Sequence, residues 1–413
     1  MPGAAPTIFI SANELSGEAH AAHLAEALQR LREERGLPPV YLEGNGSRRM
    51  RAAGIKLLGD ITHMGALGIV QIVMKSPGSA MLLLRTVRHI MRTRPQMVVL
   101  VDSRVFHLRL AAMLRKRGYH GKIVYFVAPV RWESTYDPSE LLRSLDNPRF
   151  LKQREHCDFS LLIYPVSLKT YEQLDMPHKF IGHPGCELVR PTLTDAAWDE
   201  LIGPPSAKRR VVVGALTGSR DAEVQWIAPH IFSAMRLIGE ALEPEGIELV
   251  PVTAVAHPDL RKAVVKAMRQ SGLRNLVMLD SDCAYDLMHR ADLMLVKSGT
   301  GLQECVLANA PAVMCYRVPG AVAFIARHIQ RFSMPFYGMP NLLAGHEVVP
   351  ELIQEQCNEL RIAEVGGELL FDPEKRRLMR AEFEQLRRLL CPGGDGLTPL
   401  ARGAVELQKL LGR

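Results

Sequence analysis

The sequence predicts two doubly wound α/β domains built on parallel sheets, with a cleft between them. Three observations predict this. Short β-rich apolar runs alternate with longer helical stretches, the pattern of βαβ units. The alternation occurs twice, on either side of a break at 184–205 that contains Pro191, Pro204 and Pro205. The length of 413 residues fits two domains at roughly 150 residues each.

The elements follow in order. A strand at 7–11 leads into a helix over 17–31, opened by Ser16-Gly17, an ordinary helix start. Further strands fall at 96–101, around the apolar run Met97-Val98-Val99-Leu100-Val101, and at 121–128 and 158–163. After the break come strand 209–216, helix 221–240, strand 247–253, helix 258–270, strands 275–280 and 292–297, helix 301–309 and strand 311–316. The tail reads as two helical pieces split by Pro392-Gly393-Gly394-Asp395-Gly396. No repeat of solenoid period and no low-complexity tract interrupts this order.

Composition narrows the function classes. With 47% hydrophobic and 23% charged residues, the chain is an average globular sequence, which excludes disordered, collagen-like and fibrous proteins. Apolar runs such as Met81-Leu82-Leu83-Leu84 fall far short of the roughly 18 residues that a membrane span needs. The first residues run directly into Thr7-Ile8-Phe9-Ile10 without a tripartite leader, so a cytosolic location is expected. Seven scattered cysteines with no C-x-x-C pair argue against a disulfide framework or a zinc site and for buried thiols. The net charge of +7 suits nucleic acid, an anionic membrane or a phosphorylated substrate. Nucleic acid is disfavoured, because aromatics are only 6% and no recognition module is present.

Ligands of open α/β sheets sit beyond the carboxyl ends of strands, so the residues there are the candidates. Asn13-Glu14-Leu15-Ser16-Gly17-Glu18 follows the first strand. Gly44-Asn45-Gly46-Ser47-Arg48-Arg49 is not a G-x-G-x-x-G, which argues against a dinucleotide enzyme. Asp102 ends the most apolar strand, as a general base or as a turn or capping residue. His107 lies nearby, where a lone histidine on a helix is more often structural. Gly218-Ser219-Arg220-Asp221-Ala222-Glu223 and Ser298-Gly299-Thr300-Gly301 each follow a strand and open a helix. Small residues there let amides approach a phosphate, and Arg220 adds a charge suited to it. Glu304, one turn further on, can accept hydrogen bonds from ribose or sugar hydroxyls. Two such turns in one half-chain point to a nucleotide diphosphate. Across 65–94, apolar residues (Met64 just before, then Leu67, Ile69, Val70, Ile72, Val73 and 81–84) interleave with Lys75, Arg85, Arg88, Arg92 and Arg94. That mixture fits a membrane-surface face or a core-facing amphipathic pair of helices equally well.

Several longer runs then resemble those of the lipid-A-disaccharide synthase family of inverting glycosyltransferases. In the second half these are 216–223, Lys297-Ser298-Gly299-Thr300-Gly301-Leu302-Gln303-Glu304, Cys315-Tyr316-Arg317 and the long run 339–354. In the first half they are 12–18, 64–70, Val101-Asp102, Pro129 with Trp132, and Phe180-Ile181-Gly182-His183-Pro184. The resemblance implies a GT-B fold with two Rossmann-like domains: 1–190 facing the acceptor and the membrane, and 191–375 binding UDP-sugar. Helices over 376–413 would pack back on the first domain or on a dimer partner, with exchanged C-terminal segments. It implies transfer of 2,3-diacylglucosamine from UDP to 2,3-diacylglucosamine 1-phosphate, giving a β(1→6) disaccharide 1-phosphate and UDP, with no cofactor and no metal. Asp102 would be the general base, and Arg220 would stabilise the departing diphosphate with the amides at 218–219 and 298–300. Gly218, Ser219, Glu223, Ser298, Gly299, Thr300, Glu304, Tyr316, Arg317, Asn341 and Gln354 would form the donor side. Glu14, Ser16, Gly17, Glu18, His107, Trp132 and His183 would form the acceptor side. Ile69, Val70, Ile72, Val73, Arg85 and Arg88 would face an anionic membrane, placing the protein on the inner face of the cytoplasmic membrane.

This chain departs from the family pattern on the acceptor side. The run Asp-Ala-Pro-Asp-Phe-Asn is Asp102-Ser103-Arg104-Val105-Phe106-His107, which keeps the first acid and loses the second. Gly-Glu-x-Ser-Gly-Asp begins here with Asn13 and ends with Glu18. Ser-Val-Trp-Ala-Trp-Arg becomes Val130-Arg131-Trp132-Glu133-Ser134-Thr135, and Thr217 replaces the proline before Gly-Ser-Arg. Two alternatives therefore stand beside the synthase reading: a diverged paralogue with the same donor and another acceptor, and a non-catalytic lipid- or nucleotide-binding homologue. Retention of both Asp102 and Arg220 argues against the second.

Overall fold

The computed structural model describes residues 5–13, 15–60, 77–130, 148–204, 206–320 and 335–412. The chain forms two compact units, Met1–Cys186 with Leu389–Arg413, and Glu187–Arg388. The divisions fall after Cys186 and after Arg388, where the expected boundaries are at 190 and 375. The helix Pro373–Leu390 puts Met379, Phe383 and Leu386 into the second unit's core, and only the last residues return to the first.

The first unit holds strands β1 (Thr7–Ala12), β2 (Tyr41–Gly46), β3 (Lys56–Asp60), β4 (Met97–Val101), β5 (Lys122–Phe126), β6 (Phe159–Leu162) and β7 (His178–Phe180), in the order β3-β2-β1-β4-β5-β6-β7. The second holds β8 (Arg209–Leu216), β9 (Ile247–Val255), β10 (Val277–Asp280), β11 (Leu293–Lys297), β12 (Ala312–Tyr316) and β13 (Glu351–Ile353), in the order β10-β9-β8-β11-β12-β13. Every pairing in both sheets is parallel. Parallel sheets are covered on both faces, so their central strands need apolar residues on both sides. All five residues of β4 are buried, as are Leu293, Met294, Leu295 and Val296 of β11. In each sheet the strand order reverses at one point, between β1 and β4 and between β8 and β11. Such a switch point leaves a crevice at the carboxyl ends of the two strands.

Gly44-Asn45-Gly46 lies within strand β2 and is not a phosphate loop. A Cβ at Gly44 would fall 2.0 Å from the Ile10 carbonyl oxygen, and one at Gly46 would fall 2.2 Å from the Met50 sulfur. These glycines serve close packing.

The last helix, Pro399–Leu411, packs on the first, Leu15–Glu34. Arg32 donates to Gln408 at 2.5 Å, and a Cβ at Gly403 would meet Leu24 at 2.9 Å. Buried Arg402 donates to the carbonyls of Ile181 (3.1 Å) and Pro392 (2.6 Å) and pairs with Asp395 at 2.5 Å. Cys186 and Cys391 form a disulfide across this junction, which corrects the expectation that all seven cysteines are thiols. Chain return, invisible in spacing, brings them together. Cys305, Cys315 and Cys357 are buried thiols, as expected.

Candidate active site

At the first switch point Ala12 of β1 lies beside Val101 of β4, so the chain leaves the sheet through Asn13 and Asp102. Gly17, in the first turn of the helix Leu15–Glu34, packs against this exit: a Cβ there would touch Asp102 Cβ at 3.4 Å. Asp102 (φ 55°) and Ser103 (φ 44°) are both left-handed, a conformation that costs non-glycine residues about 1–3 kcal/mol each. Ser103 occupies the N-cap position of the helix Arg104–Lys116, so Asp102 is not the cap. Burial raises the Asp102 carboxyl above the ordinary carboxylate range, opposed by the Ser103 amide and Arg104.

The Asp102 carbonyl oxygen accepts two hydrogen bonds, from Tyr125 Oη at 2.7 Å and from His107 Nδ1 at 2.8 Å. A carbonyl only accepts, so Nδ1 carries the proton and Nε2 accepts from Ser11 Oγ at 3.0 Å. Burial pushes His107 down to about 4, so the ring is neutral at working pH. Among the expected acceptor-side residues, then, His107 holds backbone.

Glu18 is also part of the scaffold. It is buried, and its carboxylate accepts from Ser47 N (2.8 Å), Ser47 Oγ (2.5 Å), Arg49 N (3.0 Å) and Met50 N (3.2 Å), capping the short helix Arg48–Ala52 from a distance. His183 is buried edge-on to His20, accepts the Gly185 amide at 3.0 Å, and is lowered to about 3 by burial. Asn13 is 8% exposed, and its Oδ1 has no hydrogen-bond partner among the described residues. Glu14, the Ser16 side chain, Trp132, Ile69, Val70, Ile72 and Val73 lie outside the described residues. Ser11 and Tyr125 were missed in the sequence. The signal was slight: one hydroxyl at the end of β1 and one phenol in an otherwise apolar β5.

At the second switch point the turn after β8 folds over Glu223. Gly218 has φ 119°, and a Cβ there would lie 2.6 Å from Glu223 Oε2, so only glycine fits. Glu223 accepts the Ser219 amide at 3.0 Å and pairs with Lys297 at 3.0 Å and Arg220 at 3.5 Å. Lys297 ends β11 and was quoted in the sequence run without a role. It is the second cation here. Burial, with Glu223 next, raises the Tyr316 phenol. Gly299 (φ 147°) precedes the helix Thr300–Leu307, and a Cβ at Gly301 would sit 3.0 Å from Leu216 Cδ1 of β8. Glu304 accepts from Tyr285 Oη at 3.1 Å. The structure thus brings Gly218, Ser219, Arg220 and Glu223 together with Lys297 and, through Gly301, with the turn 298–300.

Three expected donor-side residues make hydrogen bonds within the second unit. Asn341 is fully buried: its Nδ2 donates to Val349 O and Glu351 Oε1, both at 2.8 Å, and its Oδ1 accepts from Val348 N (2.7 Å) and Val349 N (2.8 Å). All four positions of the amide are used in tying the helix Met339–Ala344 to β13. Gln354 pairs with the backbone of Val318 through both amide atoms, at 2.8 and 3.2 Å. Arg317 Nη1 donates to Cys357 O at 2.9 Å. The described residues contain no group of His, Cys, Asp or Glu placed to hold a metal.

Residues 8–391 match the family model described as lipid-A-disaccharide synthetase. The chain belongs to that family. A lipid-A-disaccharide synthase of Koribacter versatilis is 31% identical over 397 residues, covering 96% of each chain. Among solved structures the chain is similar to a calicheamicin glycosyltransferase (TM-score 0.58, 18% identity, 99% of each chain). It is also similar to a UDP-GlcNAc 2-epimerase from Neisseria meningitidis bound to UDP-GlcNAc (TM-score 0.57, 12% identity, 99% of this chain and 100% of that one). The fold of this disaccharide synthetase family member is accordingly of the GT-B type, with two Rossmann-like units. Arg85 and Arg88, expected to face a membrane, are exposed on the helix Pro77–Thr93 beside Met81 (69% exposed) and Leu84 (52%). The opposite face of that helix buries Leu83, Val87 and Ile90. No helix among the described residues is long and apolar enough to cross a membrane.

Proposed function

We propose that the chain joins UDP-2,3-diacylglucosamine to 2,3-diacylglucosamine 1-phosphate, with Asp102 as general base. The observation that carries this reading is the furnishing of both switch points in a family member. One presents a half-buried carboxylate with a raised pKa, and the other presents two cations and a glycine turn. Asp102 takes the proton of the acceptor 6-hydroxyl as that oxygen forms a bond to the anomeric carbon, and the bond to UDP breaks with inversion. Arg220, Lys297 and the amides of the two turns stabilise the charge gathering on the diphosphate. Neither step calls for a cofactor.

The helix Pro77–Thr93 supports a peripheral seat on the inner face of the cytoplasmic membrane. Its outer face mixes Met81 and Leu84 with arginines, as an interfacial helix does. A homodimer with exchanged C-terminal segments remains part of this proposal, and light scattering tests it. One observation favours the diverged-acceptor reading. Asn13 stands where the family has glycine, and its buried carbonyl oxygen lacks, among the described residues, a donor that an acceptor hydroxyl would supply. Release of UDP from the diacylglucosamine donor, measured with the 1-phosphate acceptor and with its O-deacylated and dephosphorylated analogues, separates the two. The synthase reading expects release with the intact acceptor alone, and equal release with an analogue supports a different acceptor.

A further inference from the structure

We infer that His107 and Tyr125 are positioning residues for the transfer reaction: they hold the Asp102 carbonyl oxygen, and with it the left-handed turn that aims the Asp102 carboxylate. The inference rests on Asp102 being the base. Two consecutive non-glycine residues with positive φ persist only where the surroundings fix them, and here the fixing groups are visible. The carbonyl has two lone pairs. One accepts the phenol of Tyr125 at 2.7 Å and the other the Nδ1–H of His107 at 2.8 Å. Asp102 N is tied as well, donating to Phe126 O at 3.0 Å. Ser11, by donating to Nε2 at 3.0 Å, fixes the tautomer that makes Nδ1 a donor.

The parts come from three elements that flank β4. Ser11 comes from β1, His107 from the helix after β4, and Tyr125 from β5. Each is packed against the strand that carries the base, so the clamp is built into the sheet. His107 and Tyr125 touch only the backbone of Asp102 in these contacts and leave its carboxylate free to act. Rotating the turn out of the left-handed region would swing that carboxylate about the Cα while leaving the strand in place. A displacement of that kind costs turnover more than binding.

Tyr125→Phe removes one hydroxyl from a buried ring and is the cleanest variant. Its kcat is expected to fall about ten- to a hundredfold, with KM for both substrates and UDP affinity near wild type. The acid limb of its kcat–pH profile is expected to move to lower pH, because a carboxylate released from its half-buried position ionises more easily. His107→Leu is expected to behave alike, and His107→Asn, which can still donate to the carbonyl, to recover most of the loss. Unchanged kcat and an unmoved acid limb in a folded Tyr125→Phe protein would overturn the inference. So would a His107→Asn protein as inactive as His107→Leu, since the ring itself would then be doing the chemistry. Asp102→Asn run in parallel separates this from the underlying reading. If it turns over at the wild-type rate, the base is elsewhere and the clamp has nothing to position.

Discussion

The Asp102 carboxyl, half-buried and partly desolvated, binds its proton more tightly in the folded chain than in the unfolded one. A folded-state pKa raised above the unfolded value near 4 favours folding below that value, and this support is lost as pH rises through the folded pKa. At pH 8 the ionised group therefore weighs against the native state. Asp102→Asn removes the charge, keeps the shape and suits the left-handed turn. Its Tm at pH 8 is expected to rise above wild type while turnover falls about 10²–10⁴-fold, checked by thermal melts beside the transfer assay. At the other switch point Arg220 is one of two cations on Glu223. A charged hydrogen bond to phosphate contributes about 1.5–3 kcal/mol, so Arg220→Ala should weaken UDP binding about tenfold or more by calorimetry, and unchanged affinity would remove it from the site. The places of Asp102 and Arg220 beyond the ends of strands were legible because each follows an apolar strand closely. The hydrogen-bond partners of Glu18 and Asn341, Ser47 to Met50 and Val348 to Glu351, were not legible because they become neighbours only after folding.

Among the elements, the strands whose sequence is continuously apolar were readable, and Arg209–Leu216 matches its expected bounds. β2 escaped because its second half is Gly-Asn-Gly, and β7 and β13 because three residues carry no period. The helix Pro77–Thr93 has one face in the core and one exposed, and the rest of its stretch, 61–76, lies outside the described residues. Replacing Met81 and Leu84 with Ser should leave the melting transition intact, since both are exposed, and should release the protein from anionic vesicles in a sedimentation assay. A collapsed melt would mean that these side chains carry core packing. The Cys186–Cys391 bridge closes a 205-residue separation beside the point where the chain re-enters the first unit. Its loss is expected to cost about 2–5 kcal/mol. Dithiothreitol should then lower the wild-type Tm and leave that of Cys391→Ser, already lowered, where it is.

At the scale of the whole molecule, two parallel sheets each reverse their strand order once, and the candidates Asp102 and Arg220 follow strands at those reversals. The two series of strands were legible because each half buries its own sheet. The return of the last residues to the first unit was implied by the family resemblance and not by the residue pattern, because Arg402 and Gln408 find Ile181 and Arg32 only across the folded chain. The account's central claim is that this molecule forms a glycosidic bond between two acylated glucosamines, with Asp102 drawing the proton. Mass spectrometry of purified protein incubated with UDP-2,3-diacylglucosamine and 2,3-diacylglucosamine 1-phosphate tests it most directly. The account predicts the tetraacyl disaccharide 1-phosphate with wild-type protein and its near absence with Asp102→Asn. No disaccharide from wild type, or equal yields from the two proteins, would contradict it.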